Sequence, residues 1–162
     1  MSESSEDEVL AVLRASMGRR VLGVGSLGCL GVFLLYFGFS QASGSLLGQG
    51  FLIIAGAASI WLADTMRRAT AHAVELTRRG LSSTDGEAIA TFDEIEAVDR
   101  SIFAFKPSNG FLVRLKVKKA RRWRPGLWWR YGRRVGVGGV TSASQAKAMS
   151  EIIAVLLFEQ KK

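Results

Sequence analysis

The sequence is poor in the residues that build disulfides, metal sites and catalytic centres. Its 162 residues include one cysteine, Cys29, and one histidine, His72. A single cysteine excludes an internal disulfide and a zinc site built on cysteines. The carboxylates have no cysteine, histidine or serine partner at a spacing typical of active sites, and His72 suits a hydrogen-bonding role better than that of a base. We therefore expect no enzymatic activity, no metal and no cofactor.

Charged residues are absent from one long stretch. Residues 21–63 are 43 consecutive positions without Asp, Glu, Lys, Arg or His. A soluble domain rarely lacks charge for so long, because its helices and strands need a side that faces water. A polar cluster at residues 40–45 separates apolar pieces at residues 21–39 and 46–63. Each piece would form a helix about 27–30 Å long, which matches the hydrocarbon core of a bilayer. This pattern predicts a two-helix transmembrane hairpin at residues 21–64.

Two other interpretations of this run are weaker. A basic pair, an apolar stretch and a Ser-x-Ala sequence imitate a cleaved signal peptide, but the 19 apolar residues exceed the usual length of about 7–15. Residues 23–28 spell the G-x-G-x-x-G motif of dinucleotide-binding folds, which also needs a preceding strand and an acidic residue about 20 positions later. The next acidic residue is Asp64, so we interpret this match as accidental.

Small residues are frequent in both apolar pieces, and they let transmembrane helices pack closely. We predict helix-packing positions at Gly25, Gly28 and Gly31 in the first helix and at Gly56 in the second. The same glycines would suit contacts with the helices of another protein, and the sequence leaves both options open.

Basic residues on either side of the run predict its orientation. Arg14, Arg19 and Arg20 precede the first helix, and Arg67 and Arg68 follow the second, whereas the turn between the helices has no basic residue. Basic residues collect on the cytoplasmic side of membrane proteins. We expect a multi-pass protein of the bacterial inner membrane with both termini in the cytoplasm.

The rest of the chain divides into a short N-terminal segment and one small domain. Residues 1–20 predict an acidic, disordered tail followed by a short amphipathic helix, because apolar residues recur at helical spacing from residue 9 to residue 17. This helix would lie at the membrane surface or extend the first transmembrane helix into the cytoplasm. Residues 71–160 predict a cytoplasmic β domain that ends in one helix. Its predicted strands cover residues 73–77, 87–92, 97–105, 111–118 and 133–140.

The C-terminal helix has a start signal and an apolar face. Ser142-x-x-Gln145 has the pattern of a capping box, and apolar residues from Met149 to Leu157 follow at positions i, i+3, i+4, i+7 and i+8. We expect this amphipathic helix to close one side of the sheet.

Two short motifs carry a family resemblance: L-T-x-x-G-L at residues 76–81 and D-x-I-x-x-V at residues 93–98. With the hairpin before them and the helix after them, the chain resembles small bacterial membrane proteins with a pleckstrin-homology-like (bPH) domain. The resemblance implies a membrane α-helical hairpin plus an α+β domain, a small and partly open antiparallel β-barrel capped by one helix. It also implies lipid or protein binding without catalysis. Residues 121–134 depart from the short loop usual in that family.

Acidic residues are absent from residues 101–150, which carry twelve positive charges. Aromatic residues interrupt this stretch around a Pro-Gly turn. Arginines bind lipid phosphates and tryptophans settle at the headgroup level, so we predict that a loop at residues 121–134 binds anionic lipid headgroups or a partner protein. The predicted binding residues are Arg114, Lys116, Lys118, Lys119, Arg121, Arg122, Arg124, Arg130, Arg133 and Arg134. The predicted membrane-interface aromatics are Trp61, Trp123, Trp128, Trp129 and Tyr131.

Three alternatives stay open at the level of sequence. The first is a small accessory or assembly subunit of a larger membrane complex, held by its Gly/Ala-rich hairpin among other transmembrane subunits. The second is binding of single-stranded nucleic acid, which we disfavour because a membrane-tethered domain meets lipid first. The third is a solvated strand face whose tryptophans pack in the core.

Overall fold

The computed structural model of the protein describes residues 8–40, 45–99 and 107–160. The predicted tail at residues 1–7, most of the turn between the apolar helices and the end of the strand predicted at residues 97–105 lie outside these ranges. In chain order the elements are β1 (Val9–Arg14), α1 (Met17–Ser40), α2 (Leu46–Ala69), β2 (Ala73–Thr77), β3 (Gly80–Ser83), β4 (Ala88–Thr91), a 3₁₀ helix (Phe92–Glu94), β5 (Ile95–Asp99), β6 (Phe111–Arg124), β7 (Trp128–Val137) and α3 (Ala143–Glu159).

α1 and α2 pack against each other as an antiparallel pair. Each helix has 24 residues and is long and apolar enough to cross a membrane. The prediction of two long apolar helices is confirmed. Their outer surfaces carry large apolar side chains, and Leu22, Phe33 and Leu47 are each more than half exposed. An apolar surface of this extent needs lipid or protein to cover it.

Residues 9–14 form the strand β1, and the prediction of an amphipathic helix there was wrong. β1 pairs with β2 in antiparallel register, with Leu13 opposite Val74, and both side chains are fully buried. Apolar spacing over so short a segment does not distinguish a helix from a strand. The neighbouring strand β2 makes this segment a strand, because it offers a full ladder of backbone hydrogen bonds, whereas a helix of so few residues is only marginally stable by itself.

The strands form two antiparallel sheets, in the orders β1-β2-β3-β4 and β5-β6-β7. Within the described residues no backbone ladder joins one sheet to the other, so the sheets do not close into a barrel, and the partly open barrel implied by the bPH resemblance is present only as two separate antiparallel sheets. Side chains bridge the two sheets instead: Arg130 on β7 donates to a carbonyl of β4, and arginines of β6 pair with carboxylates just before β4. The sequence did not predict β3, whose four residues are mostly small and polar.

α3 covers the core that the two sheets enclose. Met149 and Ile153 are fully buried, so the predicted packing face is confirmed. The predicted capping box does not form, because the Ser142 side chain makes no hydrogen bond to the helix start. Gln145 Oε1 instead accepts a hydrogen bond of 3.2 Å from the backbone N–H of Arg14 on β1. The glutamine therefore connects the helix to an edge strand rather than capping its own helix.

β6 and β7 form a long hairpin where the sequence predicted a loop. Pro125 and Gly126 turn the chain, but β-structure continues on both sides of them. The strands predicted at residues 111–118 and 133–140 thus extend into the predicted loop, because the two arms pair with each other through backbone hydrogen bonds up to the turn.

This hairpin bends back on itself. The backbone N–H of Gly138 donates to the Leu127 carbonyl at 2.8 Å, so the two ends of β7 lie next to each other. A straight strand of this length would separate its ends by about 30 Å. The register of the β6–β7 pair shifts between Arg114 and Arg122, and Gly132 adopts a φ of 59° opposite these shifts. Bulges and a left-handed glycine thus allow the bend.

Candidate binding groove

The turn of the β6–β7 hairpin lies against the C-terminal end of α2. Gly126 has a φ of 81°, and a Cβ at this position would lie 3.1 Å from side-chain atoms of both Met66 and Thr70. The next residue, Leu127, is 1% exposed. Because the turn is packed on both sides, the side chains beside it hold a fixed position relative to the apolar helices.

Arginine side chains at the helix ends strengthen this junction. The Arg19 guanidinium donates to the Thr141 carbonyl at 2.9 Å, and that of Arg20 donates to the Arg67 carbonyl at 3.3 Å. The first bond joins α1 to the chain after β7, and the second joins α1 to α2. Of the arginines that flank the apolar run, Arg19 therefore also holds α1 to the sheet domain, and Arg20 holds the two helices together.

Aromatic and arginine side chains line one groove on the hairpin, with a volume of about 510 Å³. The groove residues are Arg121, Arg122, Trp123, Trp129, Arg130, Tyr131 and Arg134. Trp123 and Trp129 stand opposite each other on the two strands. Trp123 is 54% exposed and Tyr131 is 65% exposed. All seven residues belong to the predicted site, and the structure brings them together on one surface.

Trp129 owes its place to a glycine on the same strand. A Cβ at Gly136 would overlap the ring atoms Cε2, Nε1 and Cζ2 of Trp129. The bend of the hairpin brings position 136 under the indole, and only a residue without a side chain leaves room there. Gly136 thus supports a wall of the groove without lining it, and this role was not predicted from the sequence.

Trp128 does not belong to the groove. It is 1% exposed and lies in the core with Phe111 and Leu127. The prediction that Trp128 meets the membrane interface was wrong, because successive side chains on a strand point to opposite faces and Trp129 takes the outer one. The Trp128 indole N–H has no hydrogen-bond acceptor among the described residues.

Three of the predicted binding cations are neutralised by carboxylates across the gap between β4 and β6, which we call the seam. Lys119 Nζ lies 2.6 Å from Glu94, and Arg124 lies 2.7 Å from Asp85. Arg124 also lies 3.1 Å from Glu87. Arg122 Nε lies 3.2 Å from Oε1 of Glu87, close enough for an ion pair but without hydrogen-bond geometry. The neutralised cations are Lys119, Arg122 and Arg124.

Arg130 also lies in the seam, and its guanidinium is occupied by backbone carbonyls. It donates to Ala120 at 3.0 Å, to Ala88 at 3.1 Å and to Ile89 at 2.7 Å. The residue is 7% exposed. A buried guanidinium with three carbonyl acceptors holds β6 to β4 and is not free to bind an anion. The prediction that Arg130 binds lipid or a partner therefore fails on its burial and hydrogen bonds.

The remaining predicted cations are Arg114, Lys116, Lys118, Arg121, Arg133 and Arg134, and all six are exposed. None of their side chains forms an ion pair or hydrogen bond with another residue in the described ranges. Arg121 lies over the Tyr131 ring, 5.6 Å from its centroid. Of these six residues, only Arg121 and Arg134 line the groove.

The seam lowers the pKa of two carboxyl groups. Burial by itself would raise the pKa of Asp85, but hydrogen bonds from the Ser83 side chain and the Glu87 backbone, with the charge of Arg124, outweigh it and lower this pKa. Burial would likewise raise the pKa of Glu94, but hydrogen bonds from Lys119 and Thr91 lower it. Both carboxylates are held in the charged form that the cations of β6 require.

The four predicted helix-packing glycines separate into two pairs. A Cβ at Gly31 would lie 2.9 Å from the Gly56 carbonyl oxygen, and a Cβ at Gly56 would lie 3.0 Å from the Gly31 carbonyl oxygen. These two glycines let α1 and α2 touch through their backbones. A Cβ at Gly25 or Gly28 would meet no atom of another element within 4 Å in the described structure, and both glycines line an open, apolar surface with Cys29. The predicted packing role within the chain therefore fits only Gly31 and Gly56.

Trp61 is 63% exposed and lies one turn before a cluster of charges at the end of α2. Asp64 pairs with Arg67 at 2.9 Å and with Arg68 at 2.6 Å. The change from apolar to charged surface along α2 thus falls directly after the exposed indole.

No protein family, curated protein or solved structure matches this chain. The resemblance to bPH proteins stays a hypothesis based on two short motifs. Among residues 8–40, 45–99 and 107–160, no cluster of three or more His, Cys, Asp or Glu side chains has a geometry that would hold a metal ion.

Proposed function

We propose that the protein is a non-enzymatic membrane protein whose β6–β7 groove binds anionic lipid headgroups at the cytoplasmic surface of the bacterial inner membrane. In this proposal α1 and α2 span the membrane as a hairpin and both termini are cytoplasmic. The groove carries the proposal, because it combines exposed aromatic rings and unpaired arginines on a hairpin whose turn packs against the end of α2.

Distances along α2 support a groove at headgroup depth. The uncharged run ends at Ala63, and the turn of the hairpin packs on Met66 and Thr70. At about 1.5 Å per residue, these positions are about 5 Å and 10 Å beyond the end of the run. The headgroup layer on each side of a bilayer is about 5–8 Å thick. Trp123 and Trp129, which lie on either side of the turn, are therefore within reach of lipid headgroups.

The free arginines set the strength of the proposed binding. Each basic residue near an anionic surface contributes about 1 kcal/mol to the binding free energy. Counting all ten predicted cations would therefore overestimate the affinity of the groove for anionic lipid. Only Arg121 and Arg134 are both in the groove and without a partner among the described residues, which gives about 2 kcal/mol before screening by salt. The transmembrane helices already hold the domain at the membrane. Binding of this strength would select and orient nearby lipids.

The direct test is to count the anionic lipids that stay bound. The full chain is placed in nanodiscs that contain phosphatidylcholine and phosphatidylglycerol, released gently, and weighed by native mass spectrometry. We expect the double variant Arg121→Gln/Arg134→Gln to retain fewer phosphatidylglycerol molecules than the wild type. The matched control Lys116→Gln/Lys118→Gln removes two exposed charges from the same β6–β7 hairpin outside the groove and should retain the wild-type number. Equal retention by all three proteins would contradict the proposal.

A second function, that of an accessory subunit in a larger membrane complex, is favoured by one observation. Gly25 and Gly28 open onto an apolar surface of α1 that no other described residue fills, so a partner helix has room to approach. The test is to tag the C-terminus, extract the protein gently from native membranes and measure the mass of the particle. Stoichiometric partner proteins would support the accessory role, whereas a particle of this chain and lipid alone would exclude it.

A further inference from the structure

We infer that the groove prefers a lipid with a phosphomonoester headgroup over a lipid with a phosphodiester headgroup. This inference rests on the proposed function and names the lipid class that the same groove selects. Its basis is the charge and the hydrogen-bonding capacity that remain on the groove arginines after their contacts within the protein are counted.

Two of the four groove arginines already have their donors or their charge engaged within the protein. Arg130 is buried and donates to three carbonyls. The charge of Arg122 is paired with Glu87, although no hydrogen bond joins them. The side chains of Arg121 and Arg134 form no ion pair or hydrogen bond with any other described residue. The contact of Arg121 with the Tyr131 ring uses the face of the guanidinium and leaves its N–H groups available. The groove therefore offers two guanidinium forks to a ligand.

A phosphomonoester matches these two forks in charge and in acceptors. It carries about −1.5 to −2 charges at pH 7 and three terminal oxygens, which can accept bidentate hydrogen bonds from two arginines. A phosphodiester carries a single negative charge and two free oxygens. It would leave one guanidinium without a counter-charge, so it should bind more weakly in this groove.

The aromatic rings favour a lipid as the source of this phosphate. Trp123 and Tyr131 line the same groove and are more than half exposed. Rings of this amphipathic type are stable at the boundary between headgroups and acyl chains. A small soluble phosphomonoester would fill the space between the arginines but would leave these rings in water.

The test is a competition between two lipids with identical acyl chains. The full chain is placed in nanodiscs of phosphatidylcholine that contain equal fractions of phosphatidate, a monoester, and phosphatidylglycerol, a diester. Native mass spectrometry then gives the ratio of the two lipids retained. We expect phosphatidate to be enriched about fivefold, the factor that corresponds to one additional charge interaction. The variant Arg121→Lys/Arg134→Lys keeps both charges but loses the bidentate geometry, so it should still retain anionic lipid with a smaller enrichment.

The outcomes separate this inference from the proposed function. Equal retention of the two lipids by the wild type, with both lost in Arg121→Gln/Arg134→Gln, would overturn the preference and leave the proposed function intact. Retention of neither lipid would overturn both. Excess glycerol 3-phosphate should not displace phosphatidate from the wild type, and displacement would overturn the assignment to a lipid.

Discussion

The guanidinium of Arg130 joins the two sheets at a place where no described backbone ladder does. It is buried and donates to carbonyls of both β4 and β6. Replacing it with Met would leave three carbonyl oxygens without a donor. A buried acceptor that loses its partner costs about 1–3 kcal/mol, so we expect Arg130→Met to lower the free energy of unfolding by roughly 3 kcal/mol.

The measurement for this prediction is the midpoint of thermal unfolding of the detergent-solubilised chain, followed by circular dichroism. Arg134→Met provides the control, because Arg134 is exposed and forms no ion pair or hydrogen bond with another described residue. Its unfolding midpoint should match that of the wild type. Equal midpoints for Arg130→Met and Arg134→Met would show that Arg130 does not hold the sheets together.

Gly136 permits the position of Trp129 in the groove. In the variant Gly136→Ala the new methyl group would overlap the indole, so either the ring or the strand must move. We expect a loss of about 1–3 kcal/mol in the free energy of unfolding, the usual cost of overpacking. The same substitution in a Trp129→Ala background should cost much less, because the overlap is gone. A similar cost in both backgrounds, measured by thermal unfolding, would argue against this contact.

At the scale of elements, the α1–α2 pair depends on the direct approach of Gly31 to Gly56. A side chain at position 31 meets the Gly56 backbone and Ile60, whereas one at position 28 meets nothing within 4 Å in the described structure. We therefore expect Gly31→Val to separate the helices and to lower their resistance to SDS. Gly28→Val on the same helix should leave that resistance unchanged. Identical SDS titrations for the two variants would contradict the packing described here.

The seam between β4 and β6 makes stability depend on pH. Asp85 and Glu94 have pKa values below their ordinary values of 3.8 and 4.5, so each contributes stability that is fully present above its unfolded-state pKa. That contribution is lost as the pH falls through the lower, folded-state pKa. We expect the unfolding midpoint to decrease between about pH 5 and pH 3.

The variant Glu94→Gln isolates one part of this effect. It should be less stable than the wild type at pH 7 and should lose less stability on acidification, because its side chain cannot be protonated. The exposed Glu151→Gln on α3 serves as a control of equal charge change. A wild-type pH profile for Glu94→Gln would mean that the pair with Lys119 contributes nothing.

Some elements could be predicted from sequence because their signal is local. The two apolar helices follow from length and missing charge, and α3 follows from its apolar stripe. The strand β1 was missed because its pairing with β2, about 60 positions later, decides its structure. The seven groove residues were predicted together because they are close in sequence on one hairpin.

The charge balance of the site could not be predicted in the same way. Which cations are neutralised depends on how β4 lies beside β6, and the carboxylates of Asp85, Glu87 and Glu94 are about 25–40 positions away from their partners. Trp128 lies in the core and its neighbour Trp129 lies on the outer surface. Only the register of β7 decides which of the two indoles is buried. Composition therefore predicted a basic surface. In the folded chain, only Arg121 and Arg134 both line the groove and lack an ion pair or side-chain hydrogen bond among the described residues.

At the scale of the whole molecule, the chain joins an apolar helical pair to a sheet domain through one packed junction. The turn of the hairpin, the end of α2 and the chain after β7 meet there. This junction fixes the groove beside the apolar helices. The central claim is that the groove consequently lies among lipid headgroups and holds an anionic one.

Quenching of tryptophan fluorescence by brominated lipid tests that claim most directly. The full chain is placed in nanodiscs of phosphatidylcholine with phosphatidylglycerol brominated near the carbonyl end of its acyl chains. We expect stronger quenching of the wild type than of Trp123→Phe, and Arg121→Gln/Arg134→Gln should lose the same component. The control Lys116→Gln/Lys118→Gln should be quenched as the wild type is. Equal quenching of all four proteins would mean that Trp123 does not meet anionic lipid, and it would contradict the account.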